Sequence, residues 1–404
     1  MINQVVIVGA SHAAAESIAS LRKLGWSGSI VLIGDEASLP YQRPPLSKAY
    51  YKGEMPADKL LLRPDSFYQK NEVELMLGKR VTRIDRKQKQ IVLNDDTKLS
   101  YQYLILATGT RARKLNIDGA EHENIHYLRT KNDVDKIKAS LKQNATLLIV
   151  GAGYIGLEVA ASARKQGMKV VVLETMERVL ARVTSPEVSE FYQSIHRQEG
   201  VELRLNTSLQ NIKQTSNGLT AVCTNGDEIS FDSAVIGIGV LPNIELAEDA
   251  GLNCDNGIVV NEYTQTNDEH IYSIGDCSYH HNILYNRNIR LESVPNAVEQ
   301  AKVAASHISG KPIIYNQLPW FWSDQYDVKL QTAGLFQGYD QIVVRGEANN
   351  RKFAAFYLKE GILIAVDALN SPAEFMLSKK LIQSKASPNV DQLANPDISL
   401  KTLI

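Results

Sequence analysis

Residues 147–158 read Leu147-Leu148-Ile149-Val150-Gly151-Ala152-Gly153-Tyr154-Ile155-Gly156-Leu157-Glu158. An apolar strand runs into Gly-x-Gly-x-x-Gly, and helical periodicity begins at once, with Ile155, Val159 and Ala163 predicted on one face. Gly167 is the predicted helix end, and Met168–Glu174 reads as a second buried strand closing on an acid. Each glycine has a physical task. Gly151 makes the tight turn, Gly153 lets backbone approach a pyrophosphate, and Gly156 lets helix and strand pack closely. The helix N-terminus adds N–H groups and a positive dipole end for the phosphates. Glu174, 23 residues after Gly151, is placed to accept hydrogen bonds from an adenosine ribose. A carboxylate there repels a 2′-phosphate and favours NADH over NADPH, although Arg178 and Arg182 follow closely and leave that preference open. Ile155, Arg182 and Gly239 complete the predicted NADH set.

The same pattern stands at the N-terminus. Val5-Val6-Ile7-Val8-Gly9-Ala10-Ser11-His12-Ala13-Ala14 opens a helix with Ala14, Ile18 and Leu21 on one face; Gly25 closes it and Ile30–Asp35 forms the next strand. Gly9 to Gly25 spans 16 residues, as does Gly151 to Gly167. Ser11 replaces the second glycine and Ala14 the third, and alanine is tolerated at the third place. Each unit continues through a predicted meander, at 79–103 and 201–233. The first then reaches Tyr103-Leu104-Ile105-Leu106-Ala107-Thr108-Gly109, the second Ala234-Val235-Ile236-Gly237-Ile238-Gly239. Two dinucleotide units in one chain predict FAD and NAD together.

The 404 residues carry 44 basic and 45 acidic side chains, a net charge of −1, which points away from nucleic acid or an anionic membrane as partner. Cys223, Cys254 and Cys277 lie far apart, which excludes a disulfide framework, a structural zinc site and a redox dithiol. No metal site is predicted. Met1 leads straight into a strand with no leader pattern, and the longest apolar stretch is broken by glycines and Glu158, so a soluble, cytoplasmic chain is expected.

The expected fold is α/β: two Rossmann-like domains of glutathione-reductase type plus a C-terminal α+β domain. The predicted division is 1–112 with 241–319 for FAD, 113–240 for NAD, and 320–404 as the third, interface domain. Strands are predicted at 328–336, 341–345 and 353–367. A closing helix follows, with Ser371, Pro372 and Glu374 as a capping box, and a polar tail running over the surface after Pro388.

Gly9…Ala14, Arg43-Pro44-Pro45-Leu46-Ser47-Lys48, Ala107-Thr108-Gly109, Gly151…Glu158, Gly239, Gly275-Asp276 and Trp320-Phe321-Trp322-Ser323-Asp324-Gln325 together resemble the FAD-dependent NADH:ferredoxin reductases of bacterial oxygenase systems. The likeness covers essentially the whole chain and departs from the family pattern at Ser11. It implies FAD contacts at Gly9, Ala13, Asp35, Arg43, Lys48, Val81, Ala107, Arg129, Asp276, the Val294 backbone and Trp322, with Trp320 structural. It implies that Tyr154 covers the flavin and moves aside for NADH. It also implies transfer of hydride from NADH to flavin, then of single electrons to an acidic 2Fe-2S ferredoxin, with Arg63, Lys302, Lys379 and Lys380 as docking candidates. A monomer or weak dimer is expected.

From the residues alone, Glu158 falls on a half-buried helix and needs a cation, for which Lys48 is the natural partner. With Tyr154, whose role the resemblance implies, Lys48 and Glu158 make up the predicted catalytic set. No cysteine lies in residues 36–50, where disulfide reductases and some NADH oxidases keep one beside the flavin. Rubredoxin reductase and NADH oxidase remain rival readings. So does an NADH-sensing interaction protein like apoptosis-inducing factor, although no targeting segment or large insertion is seen.

Overall fold

In the computed structural model, residues 2–140, 144–216 and 218–403 are described, and they form two compact units. The first comprises residues 1–42, 57–111 and 241–319; the second comprises 43–56, 112–240 and 320–404.

The first unit is built on a parallel five-stranded sheet in the order 271–273, 103–106, 4–8, 29–34, 73–77. Alternation along the central strand decides its packing. Val5 and Ile7 face one core with Ile30, Leu32 and Ile105, while Val6 and Val8 face another with Val31, Ile33, Leu104 and Leu106. Both faces are covered, as a parallel sheet requires. On the first face lie two alanine-rich helices, His12–Leu24 and Val294–Ile308. Ala13, Ala14, Ala297, Ala301, Ala304 and Ala305 let them approach closely. Gly25 ends the first of these helices in the left-handed conformation, φ 95°. The meander is present as strands 81–85, 90–93 and 98–100.

The second unit repeats the plan in the order 201–204, 169–173, 146–150, 233–236, 125–127, again all parallel. Its meander is 209–215, 218–223 and 228–231, and Ile212, Leu219, Ala221 and Phe231 cover the face bearing Leu148, Val150, Val171 and Leu173. Residues 201–204 therefore join the main sheet instead of the meander expected of them. In the fifth place, the first sheet uses residues after its core unit and the second uses residues before it.

Residues 320–404 form an antiparallel five-stranded sheet in the order 320–325, 328–334, 362–369, 352–359, 341–347. The long strand expected over 353–367 is two strands, turned at Glu360 and Gly361, both at positive φ. The capping box does not form. Ser371 precedes the Pro372–Gln383 helix, but its hydroxyl donates to the Leu369 carbonyl at 3.0 Å, and Glu374 is drawn to Arg345 at 3.5 Å. Nor does the tail drift. Leu393 and Leu400 are buried, and the Arg345 guanidinium donates to the carbonyls of Leu393, Asn395, Pro396 and Ile398. Among the described residues no helix is long and apolar enough to cross a membrane.

His196, fully buried on the Pro186–Gln198 helix, lies 2.8 Å from the Gln325 side-chain oxygen and 3.2 Å from the Tyr326 hydroxyl. Burial holds its imidazole down at about 4, against 6.5 ordinarily. The native state thus refuses a proton that the unfolded chain accepts. Its stabilising effect is complete above pH 6.5 and is lost as pH falls from there towards 4, by up to ~3 kcal/mol. Denaturation at pH 7 and pH 4.5 is expected to show a smaller acid loss for His196→Gln than for the wild type.

Candidate functional site

In the second unit the glycine turn is built from close approaches. A Cβ on Gly151, at φ 103°, would lie 2.4 Å from the Gly237 carbonyl oxygen; one on Gly156 would lie 2.1 Å from the Gly151 oxygen. Only glycine lets the strand ends and the Tyr154–Lys165 helix meet here. Gly153 differs. It is the extended N-cap of that helix, and a Cβ there meets nothing within 4 Å. A Cβ on Gly239, which stands at φ 103°, likewise meets nothing within 4 Å. A turn with free space over its N-cap and helix start fits a pyrophosphate. Ile155, expected on the buried helix face, is 48 % exposed, whereas Val159 and Ala163 are fully buried. Within the first helical turn Ile155 alone faces outward, since Gly156 and Leu157 are buried.

Glu174 holds the turn from the next strand. Its carboxylate accepts the Ala152 N–H at 2.7 Å and the Met176 N–H at 2.9 Å. Arg178 folds back on its own loop, donating to the Ala181 and Thr184 carbonyls at 2.9 and 3.0 Å, and Arg182 is exposed.

Glu158 is 2 % exposed. It pairs with Lys48, Nζ to Oε2 2.6 Å, as the cost of a buried carboxylate demanded. Two partners were not foreseen: Ser47 donates to Oε2 at 2.5 Å and Ser323 to Oε1 at 2.6 Å. Beyond Ser323, Gln325 donates to its hydroxyl at 3.3 Å and meets His196, so a buried polar chain runs from the Pro186–Gln198 helix to Glu158. Nothing local in the sequence marks these serines. The pairings span 111 and 165 positions. Tyr154 packs edge-on against Phe321, ring centroids 5.0 Å apart, with its hydroxyl buried. Burial, together with the nearby Asp367, pushes that phenol well above its ordinary range. Trp322 lies 5.8 Å from Trp320, which also packs against Phe375 and carries Lys379 over its ring at 5.1 Å. Arg43 donates to the Arg129 carbonyl at 2.7 Å.

In the first unit, a Cβ on Gly9 would lie 2.1 Å from the Ala107 carbonyl oxygen, the counterpart of the Gly151–Gly237 crossing. Ser11 caps the following helix with extended backbone, so the serine fits the turn without left-handed strain. Gly275 lies beside Ala13 and Ala297, each 3.6 Å from its notional Cβ. The Gly9 turn, the Gly275–Asp276 turn and the helix beginning at Val294 therefore converge. Asp276 meets the Thr110 hydroxyl at 3.5 Å. Asp35 ends its strand exposed and pairs with Arg80 at 3.1 Å, and Val81 is buried at the start of the meander. This second glycine turn, with an acid at the end of the next strand, likewise fits a dinucleotide.

Removing Glu158 would strand the Lys48 cation and two hydroxyls. Glu158→Ala is expected to cost ~3 kcal/mol and Ser323→Ala ~1–2 kcal/mol in chemical denaturation.

Comparison with known proteins agrees with this geometry. Residues 3–301 match the pyridine nucleotide-disulphide oxidoreductase family and residues 320–404 the reductase C-terminal family. The chain is 43 % identical to rhodocoxin reductase of Rhodococcus erythropolis, covering 99 % of this chain and 94 % of that protein. It is also 43 % identical to putidaredoxin reductase of Pseudomonas putida, covering 100 % and 97 %. The crystal structure of the covalent putidaredoxin reductase–putidaredoxin complex superposes with a TM-score of 0.96 at 42 % identity, covering 99 % and 97 % of the two chains. With a glycine turn opening each unit and the likeness running end to end, the chain belongs to the pyridine nucleotide-disulphide oxidoreductase family, among its ferredoxin reductases, and its cofactors are FAD and NAD(H).

Proposed function

We propose that this chain takes hydride from NADH and passes electrons singly to a small 2Fe-2S ferredoxin serving an oxygenase, either a haem monooxygenase or a ring-hydroxylating dioxygenase. One observation carries the reading. The 43–48 segment holds Pro-Pro-Leu-Ser where a disulfide reductase needs cysteine, and its lysine closes on the buried Glu158 at 2.6 Å. Electrons have no thiol in residues 36–50 to rest on and must leave to an outside carrier or to oxygen.

In this reading residues 1–112 and 241–319 carry FAD on Gly9, Ala13, Asp35, Val81, Ala107, Asp276 and Val294. Arg43, Lys48, Arg129 and Trp322 complete that set. Residues 113–240 carry NADH on Gly151, Gly153, Ile155, Gly156, Glu174, Arg182 and Gly239, and 320–404 form the interface domain. Bound FAD supplies the conversion from paired to single electrons. Positioning does the catalytic work of the protein: the turn and Glu174 fix NADH at one depth and orientation. Tyr154, first residue of the adjoining helix, is the side chain that yields to the nicotinamide. Lys48 holds positive charge where negative charge develops, and Glu158 with its two serines fixes that ammonium in place.

An acidic ferredoxin calls for exposed cations. Arg63 and Lys380 are exposed, Lys302 is held by Glu299 at 2.7 Å, and Lys379 rests on Trp320 and Phe375 beside the 58 % exposed Met376. Reversal of Lys379 and Lys380 to glutamate is expected to raise KM for the ferredoxin several-fold, less at high salt, with NADH-dependent ferricyanide reduction unchanged.

The deciding experiment adds NADH to the purified yellow protein without oxygen, then titrates with ferredoxins and rubredoxins. Rapid bleaching followed by ferredoxin reduction is expected. A colourless protein that cannot be reconstituted with flavin would overturn the reading. A long-lived charge-transfer complex with slow turnover would favour an NADH sensor, and faster electron loss to rubredoxin or oxygen would favour those acceptors. Because space lies open over Gly153, Gly153→Ala is expected to keep its melting temperature while raising KM for NADH about tenfold, equivalent to ~1.4 kcal/mol.

A further inference from the structure

The loop that follows Glu174 reaches back to the glycine turn twice. Glu174 accepts the Ala152 N–H at 2.7 Å, and the Leu180 N–H donates to the Ala152 carbonyl at 3.0 Å, with Leu180 at a left-handed φ of 54°. Both polar groups of one peptide-turn residue are therefore held by residues 174–180. The far end of the loop is closed by Arg178, which donates to the Thr184 carbonyl at 3.0 Å. Exposed Arg182 lies inside that closure.

Thr184 is itself tied to the C-terminal sheet. Its hydroxyl donates to Asp367 Oδ2 at 2.5 Å, and the next residue, Ser185, sends its N–H to the Tyr357 hydroxyl at 3.4 Å. Tyr357 donates to the same Oδ2 at 2.7 Å, and the Thr332 hydroxyl donates to Oδ1. Thr184 and Tyr357 are 0 % exposed and Asp367 is 1 % exposed. Among the described residues, then, a buried carboxylate is carried by three hydroxyls. Burial pushes the Asp367 carboxyl above its ordinary range, and the donors on Thr184, Thr332 and Tyr357 pull it back. If the loop end drifts, it leaves a buried carboxyl short of a donor, which is the costly direction.

We propose that Asp367, acting through the Thr184 hydroxyl, is a positioning residue for the 176–184 loop and hence for NADH, so that the C-terminal sheet helps shape the dinucleotide site without contacting it. This rests on the NADH reading above. Neither Asp367 nor Thr184 touches the dinucleotide in it; they fix the loop that shapes the Ala152 turn and carries Arg182.

The test is calorimetric titration of NAD+ into holoenzyme of the wild type, Thr184→Val and Thr184→Ser, beside NADH steady-state kinetics and melting temperatures. Thr184→Val is expected to weaken NAD+ and raise KM for NADH about tenfold with kcat within about twofold. Thr184→Ser, which keeps the hydroxyl, is expected to match the wild type in both. Equal NAD+ affinity in Thr184→Val and wild type, or a loss confined to kcat, would overturn the proposal. If Thr184→Val does not fold, Tyr357→Phe withdraws a different hydroxyl from the same carboxylate. Weaker NAD+ binding there supports the tether, and unchanged binding overturns it. A wild type that binds no NAD+ would overturn the NADH reading itself, and the tether with it.

Discussion

The molecule depends on a backbone crossing that admits no side chain. In the second unit the end of the 146–150 strand passes the end of the 233–236 strand so closely that any Cβ on Gly151 would sit 2.4 Å from a carbonyl oxygen. In the first unit Gly9 meets the Ala107 carbonyl in the same manner. Gly156 adds a third contact of this kind, between helix and turn. These approaches set the depth of each turn, and the depth leaves room for a phosphate over the helix start. Gly153 has nothing within 4 Å of its notional Cβ and is the glycine the proposed ligand needs; Gly151 and Gly156 serve the fold.

Two buried carboxylates then fix what surrounds the second turn. Glu158 gathers Ser47 and Lys48 from one chain segment and Ser323 from another, and Asp367 gathers Thr184, Tyr357 and Thr332 from three more. A buried charge tolerates few arrangements of its donors, so each acts as a fixed point for the segments that reach it. This is a different kind of order from the apolar packing of the sheets, where exchange among valine, isoleucine and leucine costs little by comparison.

The glycine turns, the strand–helix–strand repeats and the Lys48–Glu158 pair were legible because their signals are local or follow from the cost of burying a charge. Ser47, Ser323, Thr184 and Asp367 were not, because their partners stand 111, 165 and 183 positions away and no pattern in the chain joins them. Strands 73–77 and 125–127 escaped for another reason. Val73-Glu74-Leu75-Met76-Leu77 and Ile125-His126-Tyr127 are edge strands whose polar residues blur the apolar run. At Ser371 the residue pattern was right and the geometry wrong, since a neighbouring carbonyl and Arg345 competed successfully for the two side chains that would have capped the helix.

The origin of the fifth strand in each sheet bears on how the chain assembles. All five strands of the second sheet lie between residues 125 and 236, so that sheet has everything it needs once this segment has been synthesised. The first sheet begins at residue 4 yet lacks its outer strand until residue 273 and the helix covering its face until residue 308. During translation the earlier-made half must wait, its alanine-rich helix face uncovered, while the later-made half closes. The half that begins first is completed last, so its apolar faces stay uncovered longest during synthesis.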